Sequence, residues 1–146
     1  MNPIYEKLLS CYESVRAKTD FVPQVALILG SGLGDYAKNI DIVTTIDYHD
    51  IEGFPVSTVE GHKGRFIFGY IEGVPVVCMQ GRVHYYEGYP MTDVVLPTRL
   101  MKLIGAKVLF LTNAAGLREY IKRFICLQAR RFITSTETAL RFSKPR

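Results

Sequence analysis

The sequence is poor in cysteine, lacks any long apolar run, and has no glycine after Gly116. Its three cysteines, Cys11, Cys78 and Cys126, are far apart and form no CxxC pair, which argues against a disulfide framework and a zinc site. The longest apolar stretches, such as Val25–Leu29, have the length of strands and fall far short of the ~20 residues of a membrane span. No basic segment followed by an apolar core opens the chain, so we expect no secretory signal and a cytosolic location.

Composition places the chain among ordinary globular proteins. It has 146 residues, of which 48% are hydrophobic and 22% charged, about one domain's worth of chain. This apolar content is too high for a disordered chain, so we expect a true hydrophobic core.

The net charge of +4 is unevenly distributed along the chain. Residues 1–117 carry ten basic and twelve acidic side chains, whereas residues 118–146 carry eight basic and two acidic ones. All twelve glycines lie at or before Gly116. Because charge and glycine usage change at the same point, we divide the chain into residues 1–116 and a basic tail, 117–146.

Apolar spacing in residues 1–116 predicts alternating helices and strands. A helix is predicted over 4–15, and Thr92–Ile104 is predicted as a second helix that Pro97 kinks or starts late. Continuous or β-branched apolar runs predict strands. These runs are Val25–Leu29, Ile42–Ile46, 65–71, 74–79 and 107–112, with Glu72-Gly73 as a hairpin turn between two of them. The pattern is typical of an α/β domain with a mixed sheet flanked by helices.

A glycine-rich segment, Gly30–Gly34, follows the first buried strand directly. Glycines let the backbone turn sharply and present N–H groups to an anion, and Ser31 adds a hydroxyl. Asp35 stands where a dinucleotide fingerprint needs Gly or Ala, and no Gly-Lys-Ser/Thr triplet completes a P-loop. The segment is therefore either an ordinary tight turn or a site for a single anion.

Polar residues also follow other predicted strands. If the chain stays extended after Met79, Arg82, His84 and Tyr86 share one face, where Arg and His suit phosphate oxygens. Loop 61–65 and the strand end 113–116 are further candidates. Each of these segments also has a structural interpretation, as a solvated turn, a surface arginine, a buried histidine or a simple strand exit.

Taken together, these segments resemble the purine nucleoside phosphorylases, in particular the trimeric branch that acts on inosine and guanosine. The similar segments lie in residues 1–116 and are Leu29–Gly34, Phe54-Pro55 with Gly61–Gly64, Gly81–Tyr89 and Thr112–Gly116. The Tyr86–Tyr89 run fits this branch better than the related methylthioadenosine phosphorylases.

The resemblance implies phosphorolysis, in which a purine nucleoside and inorganic phosphate give free base and (deoxy)ribose 1-phosphate, in nucleoside salvage. It implies no metal or organic cofactor, a homotrimer, and no nucleic-acid or membrane partner. It assigns His84 as the catalytic residue and Tyr86 as a ribose contact. The implied phosphate ligands are Ser31, His62, Arg82, His84 and the backbone of Ala114.

The resemblance ends at Gly116. The family pattern continues with Gly and Asn and then about as much chain again, including the groups that recognise the base, but here Leu117–Tyr120 follows. The sequence therefore predicts an incomplete phosphorylase fold, which leaves an inactive fragment with only the phosphate half of the site as the alternative to an enzyme.

The tail allows two interpretations. Apolar and basic residues between Glu119 and Thr134 fit an amphipathic basic helix, an arm for nucleic acid or anionic lipid. A shift of reading frame near codon 117 explains the simultaneous change of charge, glycine usage and resemblance, and we favour it.

Overall fold

The computed structural model describes residues 2–30, 32–57, 63–115 and 124–131. Its centre is a six-stranded sheet in the order β2-β3-β4-β1-β5-β6. The strands are β1 Val25–Ile28, β2 Asp41–Asp47, β3 Arg65–Ile71, β4 Val74–Gln80, β5 Val108–Ala115 and β6 Phe124–Arg131. Strand β1 is parallel to both of its neighbours, and the remaining pairs are antiparallel. The predicted mixed α/β sheet is therefore confirmed.

Helix α1 spans Pro3–Arg16 and confirms the helix predicted over 4–15. The Asn2 side chain accepts a 3.0 Å hydrogen bond from the Ile4 amide, and Pro3 occupies the first turn, where a missing N–H costs nothing. The predicted 92–104 helix is divided into α2, Met91–Val94, and α3, Leu96–Ile104. Pro97 lies in the first turn of α3, so of the two predicted alternatives the structure shows an interruption, a break at Val95 between two helical segments, rather than a late start.

The β3–β4 hairpin has the predicted two-residue turn. Glu72 and Gly73 have φ of +49° and +78°, the left-handed pair that matches the twist of a two-residue hairpin. The hairpin places Arg65 opposite Gln80, at the end of β4 that lies beside the candidate site.

The two faces of the sheet differ in their cover. On one face, α1 and α3 bury a large apolar cluster that includes Ala26, Phe66, Val77 and Leu100. On the other, a 3-10 helix over Gly34–Asn39 covers a smaller cluster around Ile67 and Cys78. Beside this smaller cluster lies an apolar cleft of about 670 Å³, with half-buried Val25, Leu27 and Phe110 in its lining. We call the face that α1 and α3 cover the helical face, and the face with the smaller cluster and this cleft the open face.

Strand β6 corrects the helical interpretation for residues 124–131, the part of 119–134 that the structure describes. Residues 124–131 pair antiparallel with β5, from Val108 opposite Arg131 to Ala115 opposite Phe124. An unpaired edge strand readily accepts another strand, and Phe124 and Ile125 are good strand formers, so edge pairing prevails over helical spacing. Of the helices in the described ranges, none is long and apolar enough to cross a membrane.

Candidate functional site: a cleft at the strand ends

A cleft of about 310 Å³ opens where β1 and β4 end. Three segments that are distant in sequence form it: the glycine-rich loop after β1, Lys63 before β3, and the segment that follows β4. Its lining consists of Leu29, Gly30, Gly32, Gly34, Asp35, Lys63, Gln80, Gly81, Arg82 and His84. Ligands of open α/β sheets commonly bind at such carboxyl ends, where neighbouring strands diverge.

The glycine-rich loop is a tight turn held from inside the protein. The Leu33 amide donates to the Gly30 carbonyl at 3.1 Å, and Gly32 has φ of +83°, a conformation that favours glycine. The Gly30 amide donates to the Thr112 hydroxyl at 2.8 Å. Because the Gly30 and Leu33 amides are engaged in this way, an anion in the cleft must use other donors.

Arg82 and His84 contact each other at the cleft. The Nε of Arg82 donates to Nε2 of His84 at 3.1 Å. A guanidinium cannot accept a hydrogen bond, so Nε2 is the acceptor and the neutral ring carries its proton on Nδ1. His84 can therefore donate to an anion through Nε2 only once that nitrogen carries a proton and Arg82 has turned away.

A buried carboxylate orients the His84 ring. Oε1 of Glu87 lies 3.2 Å from His84 Nδ1 and accepts the His84 backbone N–H at 2.7 Å. Its other oxygen accepts from the Ser57 hydroxyl at 3.0 Å. The Glu87 side chain is only 3% exposed, so its charge is held by these donors rather than by water. His84 thus has a fixed ring position and a fixed tautomer.

The expectation that the chain stays extended through Tyr86 is wrong. Residues Tyr85–Glu87 form a 3-10 helix, which Glu87 closes by bonding back to His84. The Tyr86 ring consequently stacks on His84, with ring centroids 4.8 Å apart, and remains 75% exposed. Arg82 and His84 still lie together, but through a direct hydrogen bond rather than through strand periodicity.

The charged residues of the cleft favour an anion. Lys63 and Arg82 line it together with one carboxylate, Asp35. Lys38 donates to Asp35 at 2.9 Å, and this bond lowers the pKa of Asp35 below its ordinary value, with a smaller contribution from Lys63. Asp35 is therefore a paired charge at the rim, and its repulsion of an anion is reduced.

The other predicted phosphate ligands are placed to different extents. Ser31 and His62 lie outside the described residues. Ala114 is on β5, three residues beyond Leu111, which pairs with Ile28 of β1. Its backbone thus lies beyond the last residue of β1, at the same end of the sheet as the glycine-rich loop.

Sequence reasoning missed three residues that hold the site. Glu87 orients His84, while Gln80 and Thr112 each bond the glycine-rich loop. A signal existed for Glu87, because a carboxylate three residues after a polar residue is the spacing of a capping box. For Gln80 and Thr112 the only signal was a polar side chain at the end of an apolar strand.

Comparison with known proteins places the chain in a family. The sequence model of the phosphorylase superfamily matches residues 24–118. A purine nucleoside phosphorylase from Anopheles gambiae is 50% identical over 112 residues, which are 77% of this chain and 32% of that protein. Purine nucleoside phosphorylase 1 from Geobacillus stearothermophilus is 56% identical over 94 residues, 64% of this chain and 34% of that protein.

Solved structures agree. The purine nucleoside phosphorylase of Schistosoma mansoni, in complex with acetate, superposes with a TM-score of 0.70 at 45% identity, covering 76% of this chain and 41% of that one. A purine nucleoside phosphorylase in complex with ribose 1-phosphate gives a TM-score of 0.70 at 46% identity over the same shares. The chain thus spans about a third to two-fifths of the length of these relatives. The predicted resemblance to purine nucleoside phosphorylases is confirmed, and the chain belongs to the phosphorylase superfamily.

Proposed function

We propose that the cleft binds inorganic phosphate for the phosphorolysis of purine nucleosides. The observation that carries the proposal is the convergence of Arg82, His84 and the glycine-rich loop on one cleft, in a chain similar to purine nucleoside phosphorylases. In this reaction a phosphate oxygen forms a bond to C1′ of the sugar while the C1′–N9 bond breaks. The purine leaves with that electron pair and takes up a proton, which gives free base and (deoxy)ribose 1-phosphate.

The described residues suit the phosphate half of this reaction. Arg82 offers a planar set of donors that matches phosphate oxygens, and it must turn from His84 Nε2 before His84 can also donate to the anion. A phosphate dianion held beneath C1′ would attack the sugar and also stabilise the positive charge that develops on it. Fixed positioning of this kind can supply ~7–11 kcal/mol of a barrier.

The remaining assignments extend the same proposal. Ser31, His62 and the Ala114 backbone complete the phosphate ligands, and His84 is the catalytic residue. Tyr86, exposed on the outer side of the His84 ring, contacts the ribose. The partners are a purine nucleoside and phosphate, with no nucleic acid, membrane or cofactor, in a cytoplasmic homotrimer.

The second candidate is an inactive fragment that retains only the phosphate half of the site. Two observations favour it: the chain spans about a third of the Anopheles relative, and the open face of the sheet leaves apolar side chains half-buried. We propose that residues 1–116 are the N-terminal part of a phosphorylase domain and that 117–146 are a non-homologous tail from a changed reading frame.

Two measurements on the same samples, inosine turnover and calorimetric titration with inorganic phosphate, separate the two candidates. Loss of inosine by the purified chain is followed with and without inorganic phosphate, with Arg82→Ala as the site variant and Arg99→Ala, an exposed arginine of α3, as its matched control. Turnover that requires both phosphate and Arg82 identifies an enzyme. Phosphate binding without turnover identifies the fragment. Absence of phosphate binding would overturn the site itself.

A further inference from the structure

Two buried polar side chains hold the two ends of the glycine-rich loop. They are Gln80, 7% exposed, and Thr112, 6% exposed. Gln80 ends β4 and Thr112 lies on β5, so they lie on the two strands that flank β1, from which the loop emerges. Burying a polar group is costly unless it is hydrogen-bonded, so the hydrogen bonds of both side chains contribute to the stability of the fold.

Thr112 holds the first end of the loop. Its hydroxyl donates to the Ile28 carbonyl at 2.9 Å and accepts from the Gly30 amide at 2.8 Å. The side chain therefore extends the β1–β5 pairing past the last residue of β1. This bond fixes the point at which the loop leaves the sheet.

Gln80 holds the second end. Its Nε2 donates to the Gly34 carbonyl at 2.9 Å, and its Oε1 accepts from Arg65 Nε at 2.9 Å. The carbonyl can only accept and the guanidinium can only donate, so the orientation of the amide is unambiguous. Arg65 is the cross-strand partner of Gln80, so the end of the loop is tied to the β3–β4 hairpin.

The geometry points to Gln80 and Thr112 as positioning residues that preorganise the loop for phosphate, an inference that rests on the proposed function. Neither has to touch the anion. A loop held at both ends loses little conformational freedom when the ligand binds, whereas a released loop must be ordered by the ligand at a cost in affinity. Losing one of the two attachments should therefore weaken phosphate binding more than it weakens the fold.

The test compares phosphate affinity with stability in matched variants. Thr112→Val keeps the shape of the side chain and removes its hydroxyl, whereas Thr112→Ser retains the hydroxyl. Gln80→Met removes both hydrogen bonds of the side-chain amide and keeps a side chain of similar length. Thr45→Val, at an exposed position of β2, controls for the chemistry of the substitution. The affinity for inorganic phosphate is measured by calorimetric titration, and stability by urea unfolding of the same samples.

We expect Thr112→Val and Gln80→Met each to raise the phosphate Kd about tenfold or more, which is about 1.4 kcal/mol. Thr112→Ser and Thr45→Val should bind nearly as the unmodified chain does. The phosphate Kd of the double variant should rise by less than the product of the two single fold-changes, because both attachments act on one loop. If both single variants keep their phosphate affinity, or lose only as much as their unfolded fraction accounts for, this inference is overturned and the proposed function is not. Multiplicative effects would also contradict the inference, and absence of phosphate binding by the unmodified chain would overturn it together with the proposed function.

Discussion

The helical face and the open face of the sheet belong to the same strands but are packed differently. In β1, Ala26 and Ile28 point to the helical face and are buried, whereas Val25 and Leu27 point to the open face and are half-buried. All-parallel sheets are normally covered on both faces, whereas antiparallel pairs, of which this sheet has three, tolerate one solvated face. The described residues thus complete the helical face, and the cleft that Arg82 and His84 line lies at the ends of the strands.

A substitution on the helical face should cause the largest loss of stability. Leu100→Ala removes a fully buried side chain of α3 and leaves a cavity, which should reduce the free energy of unfolding by about 2–5 kcal/mol. Urea unfolding measures this loss. A loss below about 1 kcal/mol would mean that the helical face is loosely packed and that the two faces do not differ.

The cleft should respond in function rather than in stability. Arg82→Ala removes the donor that we propose for the attacking phosphate and should cost about 2–4 kcal/mol of transition-state stabilisation if the chain turns over. The kcat/KM for phosphate reports this cost, with Arg99→Ala as control. An Arg82→Ala variant with the full phosphate-dependent rate would show that the cleft has been misassigned.

Cys78 lies in the part of the open face that the 3-10 helix covers, so the titration of its thiol tests whether water is excluded there. Burial raises the pKa of its thiol from 9.0 to about 12, so the folded protein keeps a proton that the unfolded chain releases. The stabilisation is complete below pH 9 and should decline by about 1.4 kcal/mol per pH unit from about pH 9 to about pH 12. Unfolding at about pH 8 and about pH 10.5, with Cys78→Ala as control, should show a smaller decline in the variant. Equal declines would place Cys78 in contact with water.

The smallest effect should come from the uncovered part of the open face. Leu27→Ala removes the same atoms as Leu100→Ala but from a half-buried position, so we expect a loss of about 1 kcal/mol. Urea unfolding of the two variants side by side is the sharpest test of the comparison. Equal losses would mean that in solution this face is covered, by a second copy or by residues outside the described ranges.

Much of the sheet could be predicted from sequence because its signals are local. The apolar runs of β1, β3, β4 and β5, and the Glu72-Gly73 turn, are each legible in a short window. The 3-10 helix at Tyr85–Glu87 was missed although the capping-box spacing of His84 and Glu87 is local, whereas the bond from Ser57 that also holds Glu87 has no local signal. Strand β6 was missed because its pairing depends on the free edge of β5 rather than on its own spacing.

The same division applies to the site. Arg82 and the glycine-rich loop could be identified because polar residues at strand ends suggest ligand contacts. Gln80 and Thr112 could not, since each matters through a hydrogen bond to a residue 46 or 82 positions away. Hydrogen-bond partners at such separations depend on the order of the strands, which no local pattern contains.

The central claim is that the cleft between Arg82, His84 and the glycine-rich loop binds phosphate. Titration of the ¹⁵N-labelled chain with inorganic phosphate at neutral pH, followed by NMR, tests it most directly. We expect saturable shifts concentrated at the Gly32 amide, the Arg82 Nε and the His84 ring. Shifts confined to the basic residues of 118–146, or no saturable shift at the cleft, would contradict it.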